Sequence, residues 1–104
     1  MKQLTIVIKP FRAEAVLKAI SESDVIACVV REAKGYSRQK GYLDRYLGSE
    51  YSMAFLPKVE ITVCAADDLA ETLVQQIART ARTGRMGDGK IFILPLALPE
   101  AIEF

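Results

Sequence analysis

The sequence predicts an α+β fold of the ferredoxin-like, split βαβ type, in one domain over residues 1–104. Four segments have the alternation or the β-branched character of strands, and two others have apolar residues at helical spacing. Their order is β-α-β-β-α-β, with a long irregular segment between the two central strands. A chain of 104 residues suits one such domain, and chains this short often gain stability from oligomerisation.

The first half of the chain predicts a strand, a helix and a second strand. Residues 3–10 alternate, with Leu4, Ile6 and Ile8 on one side, and Pro10 predicts the end of the strand. Residues 11 to about 22 carry apolar side chains at helical spacing. Residues 25–34 begin with β-branched and apolar residues, which favour a strand.

The second half predicts a strand, a helix and a final strand. Residues 58–65 alternate, and either Asp67 or Asp68 is predicted to cap the helix that follows. The apolar stripe of that helix is formed by Leu69, Leu73 and Ile77. Residues 90–96 predict the fourth strand, and Pro95 suits its end or an edge position.

The composition argues against several classes of function. Fourteen Lys and Arg oppose thirteen Asp and Glu, so the net charge of +1 predicts no general attraction to nucleic acid or anionic membranes. The absence of histidine removes the commonest catalytic base and metal ligand.

The sequence predicts a location in the cytoplasm, because no apolar run is long enough to span a bilayer and the N-terminal residues lack signal-peptide features. Cys28 and Cys64 are expected to be a buried pair of reduced thiols.

Two loops stand out from the regular pattern. Residues 35–55 hold three glycines, four tyrosines and five charged residues without a sustained period. A loop of this length in so small a domain is usually functional, although four tyrosines are also compatible with a packed loop. The second loop, 82-RTGRMGDGKIF-92, carries three glycines, three cations and one acid.

The second loop predicts an anion site, with a tight solvated turn as the alternative. From Gly84 it matches the start of the P-loop pattern, but Ile91 stands where that pattern needs Ser or Thr, and the order is helix-loop-strand. Glycines still let successive backbone N–H groups turn toward one anion. Arg82, Arg85 and Lys90 add positive charge, which suits a phosphate chain.

The residues around both loops resemble the PII signal-transduction proteins, the GlnB/GlnK family. The segment 81-ARTGRMGDGKIF-92 is similar to the family's C-terminal signature, and 35-GYSRQKG-41 to its GFGRQKG. Further matches are 8-IKPF-11, 48-GSEY-51 and 55-FLPKVEI-61. The similarity runs almost without gaps from residue 1 to about 94. Several long motifs in the same order make chance similarity a poor explanation.

The resemblance implies a homotrimer that binds ATP or ADP, with AMP as an alternative, in the clefts between subunits. Magnesium and 2-oxoglutarate join ATP at the base of the T-loop (about residues 36–55), which then docks on a membrane transporter or metabolic enzyme. The nucleotide-binding B-loop corresponds to about residues 82–90, called the glycine loop below. The family regulates its partners and has no chemistry of its own.

The resemblance also assigns residues to these sites. The nucleotide residues are Val7, Gly35, Arg38, Gln39, Cys64, Arg82, Gly87, Asp88, Gly89 and Lys90. Val7 and Cys64 would line the adenine pocket, and Gly87 to Lys90 would meet the phosphates. The 2-oxoglutarate residues are Gln39, Lys40, Gly41 and Lys58. Gln39 would also hold the magnesium ion, to which its amide oxygen is suited. Tyr51 and Ser49 stand at positions that are modified in some members, where added charge would change the docking loop.

The chain departs from the family at several of these positions. Ala101 and Glu103 stand where an Arg-x-Arg pair usually reaches the phosphates, which predicts a shift in preference from ATP toward ADP or AMP. Leu47 replaces an arginine that enters the ammonium channel, with Arg45 two residues away. Three further replacements are Ser37 for glycine, Val29 for threonine and Thr62 for an acidic residue. These changes favour a divergent PII-like branch with another transporter or enzyme as its partner.

Two other classes of function remain as alternatives. A slow nucleotide hydrolase would use the cations of the glycine loop, but the sequence shows no histidine base, Walker Ser or Thr, or paired carboxylates. A trimeric metal-tolerance module of the CutA type shares the predicted architecture. Without histidine, and with two dispersed cysteines, a soft-metal site within one chain is poorly supported.

Overall fold

The computed structural model describes residues 1–35, 56–85, 87–97 and 100–104. In these ranges the chain forms the predicted β-α-β-β-α-β order. The elements are β1 (Lys2–Ile8), α1 (Pro10–Ser21), β2 (Ala27–Gly35), β3 (Leu56–Ala65), α2 (Asp67–Ala81) and β4 (Gly89–Pro95). The α+β ferredoxin-like prediction is therefore confirmed. In the described part of the chain, neither helix combines the length and the apolar character that a membrane span needs.

The sheet has the strand order β2-β3-β1-β4, and each neighbouring pair is antiparallel. Strand β1 lies between β3 and β4, and Ile6 is opposite both Ile61 and Ile91. Pro10 follows the end of β1 and occupies the first turn of α1, where its missing N–H has no helical partner to lose. Pro95 ends β4, as its position in the sequence predicts.

Both helices cover one face of this sheet. The buried core is formed by Leu4, Ile6, Ile8, Val16, Ile20, Ile61, Val63, Leu73, Ile77 and Ala81. Side chains alternate between the two faces of a strand, so the neighbours of the core residues on each strand point to the other face. The predicted stripe of α2 is largely confirmed, since Leu73 and Ile77 are buried while Leu69 is half-buried.

The opposite face of the sheet, which we call the open face, is not covered by either helix. It carries Val29 of β2 and Phe92 and Leu94 of β4, whose exposed fractions are 57%, 53% and 46%. Val7 and Lys58 also belong to it, at the end that adjoins the glycine loop. An apolar sheet face of this kind is suited to contact with another chain.

Two sequence predictions are wrong in detail. Ala66 occupies the N-cap of α2 without a side-chain hydrogen bond, and Asp67 lies in the first turn, where it pairs with the Met1 amine at 2.8 Å. The predicted capping role of Asp67 or Asp68 is therefore not seen. Cys28 is exposed rather than buried, because it lies on the edge strand β2, beyond the reach of the helices. Cys64 is half-buried, and both thiols are free.

Candidate functional site

The described glycine-loop residues connect the end of α2 to the start of β4 and adopt a conformation that needs glycine. The φ angles of Gly84 and Gly87 are 83° and 78°, in the left-handed region that other residues rarely adopt. At Arg82 the backbone has already left the helix, with φ −70° and ψ 129°. These glycines therefore fix where the backbone of the loop turns.

The carboxylate of Asp88 is the centre of the hydrogen bonding in this loop. Its Oδ2 accepts the backbone N–H of Thr83 at 2.7 Å and that of Gly84 at 3.0 Å. Its Oδ1 accepts the Thr83 hydroxyl and the amine of Lys9, the latter at 3.3 Å. The hydrogen bond from the Thr83 side chain is the largest cause that holds the pKa of Asp88 well below its usual range. The Asp88 side chain thus points into the loop, where its negative charge is paired with the Lys9 ammonium.

Gly89 brings the loop against β1. A Cβ atom at this position would lie 2.8 Å from the carbonyl oxygen of Val7 and 3.0 Å from the Ile8 side chain. Only glycine permits this approach, because the nearest atom belongs to the backbone of a central strand. The approach places Gly89 and Lys90 beside the end of β1, where Val7 is opposite Lys90.

Lys58 is a charged residue that lies deep in the structure, with an exposed fraction of 5%. Its amine donates a hydrogen bond to the carbonyl oxygen of Gly87 at 3.3 Å. Burial is the main cause that lowers the pKa of Lys58; the charge of Lys9 lowers it further, while that of Asp88 raises it. A charged group with a perturbed pKa beside a cavity is a candidate functional residue.

One cavity collects most of the described residues that the sequence assigned to ligands. It has a volume of about 160 Å³ and lies where the open face meets the glycine loop. The lining residues are Val7, Gly35, Lys58, Gly87, Gly89, Lys90 and Phe92. They come from all four strands and the loop, so the fold brings together positions that lie up to 85 residues apart. The cavity combines apolar side chains, exposed glycine backbone and two amines.

Three of the predicted nucleotide residues do not line this cavity: Cys64, Arg82 and Asp88, whose side chain lies within the loop. Cys64 is opposite Gln3 and Ala27, further along the open face than Val7, which is opposite Glu60. Arg82 is exposed and lines a different cavity, of about 240 Å³, on the helix side of the glycine loop. The predicted residues that lie outside the described ranges are Arg38, Gln39, Lys40, Gly41, Ser49 and Tyr51.

Sequence reasoning missed three residues that the structure places at this site. Phe92 lines the cavity, although in the sequence it resembles an ordinary strand residue. Lys9 and Thr83 both donate hydrogen bonds to the carboxylate of Asp88. Thr83 precedes a glycine and follows a helix, which is a weak signal for a loop contact. Lys9 carries no such signal, because its contact spans 79 residues.

The cavity and its loop belong to a small α+β domain, and comparison with known proteins gives the family. A family model described as nitrogen regulatory protein P-II matches residues 1–102. The nitrogen regulatory protein P-II of Klebsiella oxytoca and P-II 1 of Escherichia coli K12 are each 45% identical over 97 residues, covering 93% of this chain and 87% of theirs. GlnK of Escherichia coli K12 is 46% identical over 96 residues, covering 92% and 86%. The chain belongs to the P-II family of nitrogen regulatory signal-transduction proteins.

Proposed function

We propose that this protein is a nitrogen-regulatory sensor that binds an adenine nucleotide, ATP or ADP, at the cavity beside the glycine loop. The observation that carries the proposal is the convergence of Lys90 and the glycine backbone on one cavity with apolar walls. A nucleotide needs both kinds of surface, because its base is apolar and stacks while its phosphates are anionic. The P-II names of the relatives support a regulatory rather than a catalytic role.

The residues of the cavity divide between the two ends of such a ligand. Lys90 follows the turn at Gly87 and Gly89, and its ammonium suits a phosphate group that also meets backbone N–H groups. Val7 and Phe92 lie on the open face and offer apolar surface to the base. Arg82 adds charge on the far side of the loop, where it contributes to the electrostatic field.

The size of the cavity supports a site that is shared between subunits. Pockets for ligands of this class usually enclose about 300–1,000 Å³, and the cavity in one chain holds about 160 Å³. The open face continues from the cavity and is apolar at Val29, Phe92 and Leu94. We therefore propose that a neighbouring copy in a homotrimer supplies the second wall of each cleft.

The second part of the proposal concerns 2-oxoglutarate, magnesium and the docking loop. Lys58 offers its buried ammonium to a carboxylate, beside the cavity and close to Gly35, where β2 enters the long loop. Gln39, Lys40 and Gly41 would complete that site, with Gln39 as the magnesium ligand. Binding would change the conformation of residues 36–55, which dock on a transporter or enzyme from the cytoplasm, with Tyr51 and Ser49 as modifiable positions.

A second candidate is a divergent sensor of ADP or AMP that regulates a protein other than an ammonium channel. Ala101 and Glu103 favour it, because they place no cation in the segment that follows β4. Residues 100–104 are exposed and have no regular structure, and Ile102 is 82% exposed. With fewer cations near the phosphates, the ligand with the most charge loses the most Coulomb energy.

Calorimetric titration with ATP, ADP and AMP, each with and without magnesium and 2-oxoglutarate, tests both candidates. Tight ATP binding that 2-oxoglutarate strengthens supports the first candidate. Binding of ADP or AMP without a 2-oxoglutarate effect supports the second. The absence of binding for all three nucleotides would contradict both. Phosphate release, measured in the same samples, tests the proposal that the protein is not a hydrolase.

A further inference from the structure

We propose that Asp88 is a positioning residue, whose carboxylate holds the glycine loop in its anion-binding shape and does not contact the bound ligand. This role rests on the proposed nucleotide site, and it identifies Asp88 as the residue that holds the loop in shape. It also separates Asp88 from its neighbours Gly87, Gly89 and Lys90, which line the cavity. Asp88 is absent from that lining and instead lines the cavity on the helix side of the loop, which Gly89 and Lys90 also border.

The hydrogen bonds of Asp88 leave its carboxylate little capacity for a ligand. Two carboxylate oxygens offer about four acceptor sites. Four donors occupy them in the structure: the N–H and hydroxyl of Thr83, the N–H of Gly84 and the amine of Lys9. An ionised phosphate donates no hydrogen bond and is itself an anion, so its contact with this carboxylate would be unfavourable. The carboxylate therefore stabilises the loop and does not bind the ligand.

The charge of Asp88 is also balanced where it stands. Its partner Lys9 lies 3.3 Å away, and the exposed fractions of the two side chains are only 13% for Lys9 and 19% for Asp88. An unpaired carboxylate beside a phosphate would repel it, whereas this pair presents little net charge. The charged side chains that line the cavity itself are then the two cations, Lys58 and Lys90.

The contacts of Asp88 connect three parts of the fold. Thr83 and Gly84 follow α2, Asp88 precedes β4, and Lys9 stands between β1 and α1. One side chain thus closes the loop on itself and fastens it to the central strand. A loop ordered before binding loses less conformational entropy when the ligand arrives, and its affinity is correspondingly higher.

Replacing Asp88 by asparagine tests this role with almost no change in volume. Asp88→Asn keeps one oxygen for the backbone N–H groups but places an amide nitrogen beside Thr83 and Lys9. We expect the affinity for ADP to fall about tenfold or more, equally with magnesium and without it, and an equal loss for pyrophosphate. A loss confined to magnesium–nucleotide complexes would mean that Asp88 contacts the bound metal ion, and would overturn the proposal.

Substitutions at Thr83 provide the matched test, because this residue donates two of the hydrogen bonds that the Asp88 carboxylate accepts. Thr83→Val removes the hydroxyl and should reproduce the loss of affinity, whereas Thr83→Ser keeps the hydroxyl and should retain it. Substitutions at two residues that share one contact do not have additive effects. Thr83→Val in the Asp88→Asn background should therefore cause no further loss of affinity. Full additivity, or failure of serine to preserve binding, would contradict the proposal.

Amide NMR signals of the ligand-free protein distinguish this proposal from the proposed function. In Asp88→Asn, the signals of Thr83, Gly84, Gly87 and Gly89 should move, while Asp24→Asn, at an exposed turn, leaves them in place. Unchanged loop signals in Asp88→Asn would overturn the positioning role. A wild-type protein that binds neither ADP nor pyrophosphate would instead overturn the proposed function, whatever the amide signals show.

Discussion

The amine of Lys58 donates a hydrogen bond to the carbonyl oxygen of Gly87. Lys58 lies near the start of β3, just after the long loop, whereas Gly87 lies in the glycine loop. Because the peptide unit is planar, this contact also directs the N–H of Asp88 away from Lys58. One side chain therefore connects the end of the predicted docking loop to the predicted phosphate site.

The first prediction concerns Lys58. Lys58→Met removes the ammonium but retains an unbranched apolar chain, and it should abolish any effect of 2-oxoglutarate while ADP binds within a few-fold of the wild type. Calorimetry with ADP, then with ATP and 2-oxoglutarate, measures both. Lys34→Met is the matched control, because Lys34 is an exposed lysine on the adjoining strand. An equal collapse of ADP binding in Lys58→Met would show that the two roles are not separate.

The second prediction concerns Lys90. Lys90→Ala removes a cation from the wall of the cavity. Hydrogen bonds to charged groups contribute about 1.5–3 kcal/mol, so we expect ATP and ADP affinity to fall about 10- to 150-fold. Lys18→Ala, at an exposed lysine of α1, should leave affinity unchanged. Wild-type affinity in Lys90→Ala would place the phosphates elsewhere on the protein.

The third prediction concerns the close approach at Gly89. Gly89→Ala puts a methyl group 2.8 Å from the Val7 carbonyl oxygen, and overpacking of this kind costs about 1–3 kcal/mol. Urea unfolding should therefore show a lower free energy of unfolding. In Gly35→Ala the new methyl group would meet the Lys58 side chain at an ordinary 3.8 Å, so this variant should be much less affected. Equal stability of the two variants would refute the steric argument.

The fourth prediction concerns stability in acid. Its hydrogen bonds lower the pKa of Asp88 in the folded protein below the unfolded value of about 4. Such a group stabilises the fold above pH 4, and this contribution disappears as the pH falls toward the folded pKa. Urea midpoints between pH 7 and pH 2.5 should therefore fall more steeply for the wild type than for Asp88→Asn. Asp24→Asn should follow the wild-type curve, and identical slopes in all three proteins would contradict the prediction.

The sequence predicted those parts of the fold that depend on local patterns. The alternation of Leu4, Ile6 and Ile8 identified both the strand and its buried face. Pro10 and Pro95 marked the junctions where the structure has them. Such signals are reliable because the period of a strand or helix determines directly which side chains meet the core.

Other features could not be predicted, because they depend on which elements lie beside one another. Cys28 is apolar enough for a core, yet β2 is an edge strand that the helices do not cover. Asp67 has the right residue type for a cap, but it lies in the first turn of α2 and pairs with the Met1 amine. The resemblance identified the glycine loop, while the inward direction of Asp88 depends on Lys9, 79 residues away.

The exposed apolar surface of the open face has a consequence for stability measurements on this protein. Val29, Phe92 and Leu94 would remain in contact with water in an isolated subunit, so association and folding should form one equilibrium governed by mass action. The unfolding midpoint should then rise with protein concentration. The proposed cleft between two chains would also be lost on dilution, so the proposed sensor would need a minimum cellular abundance to bind any metabolite.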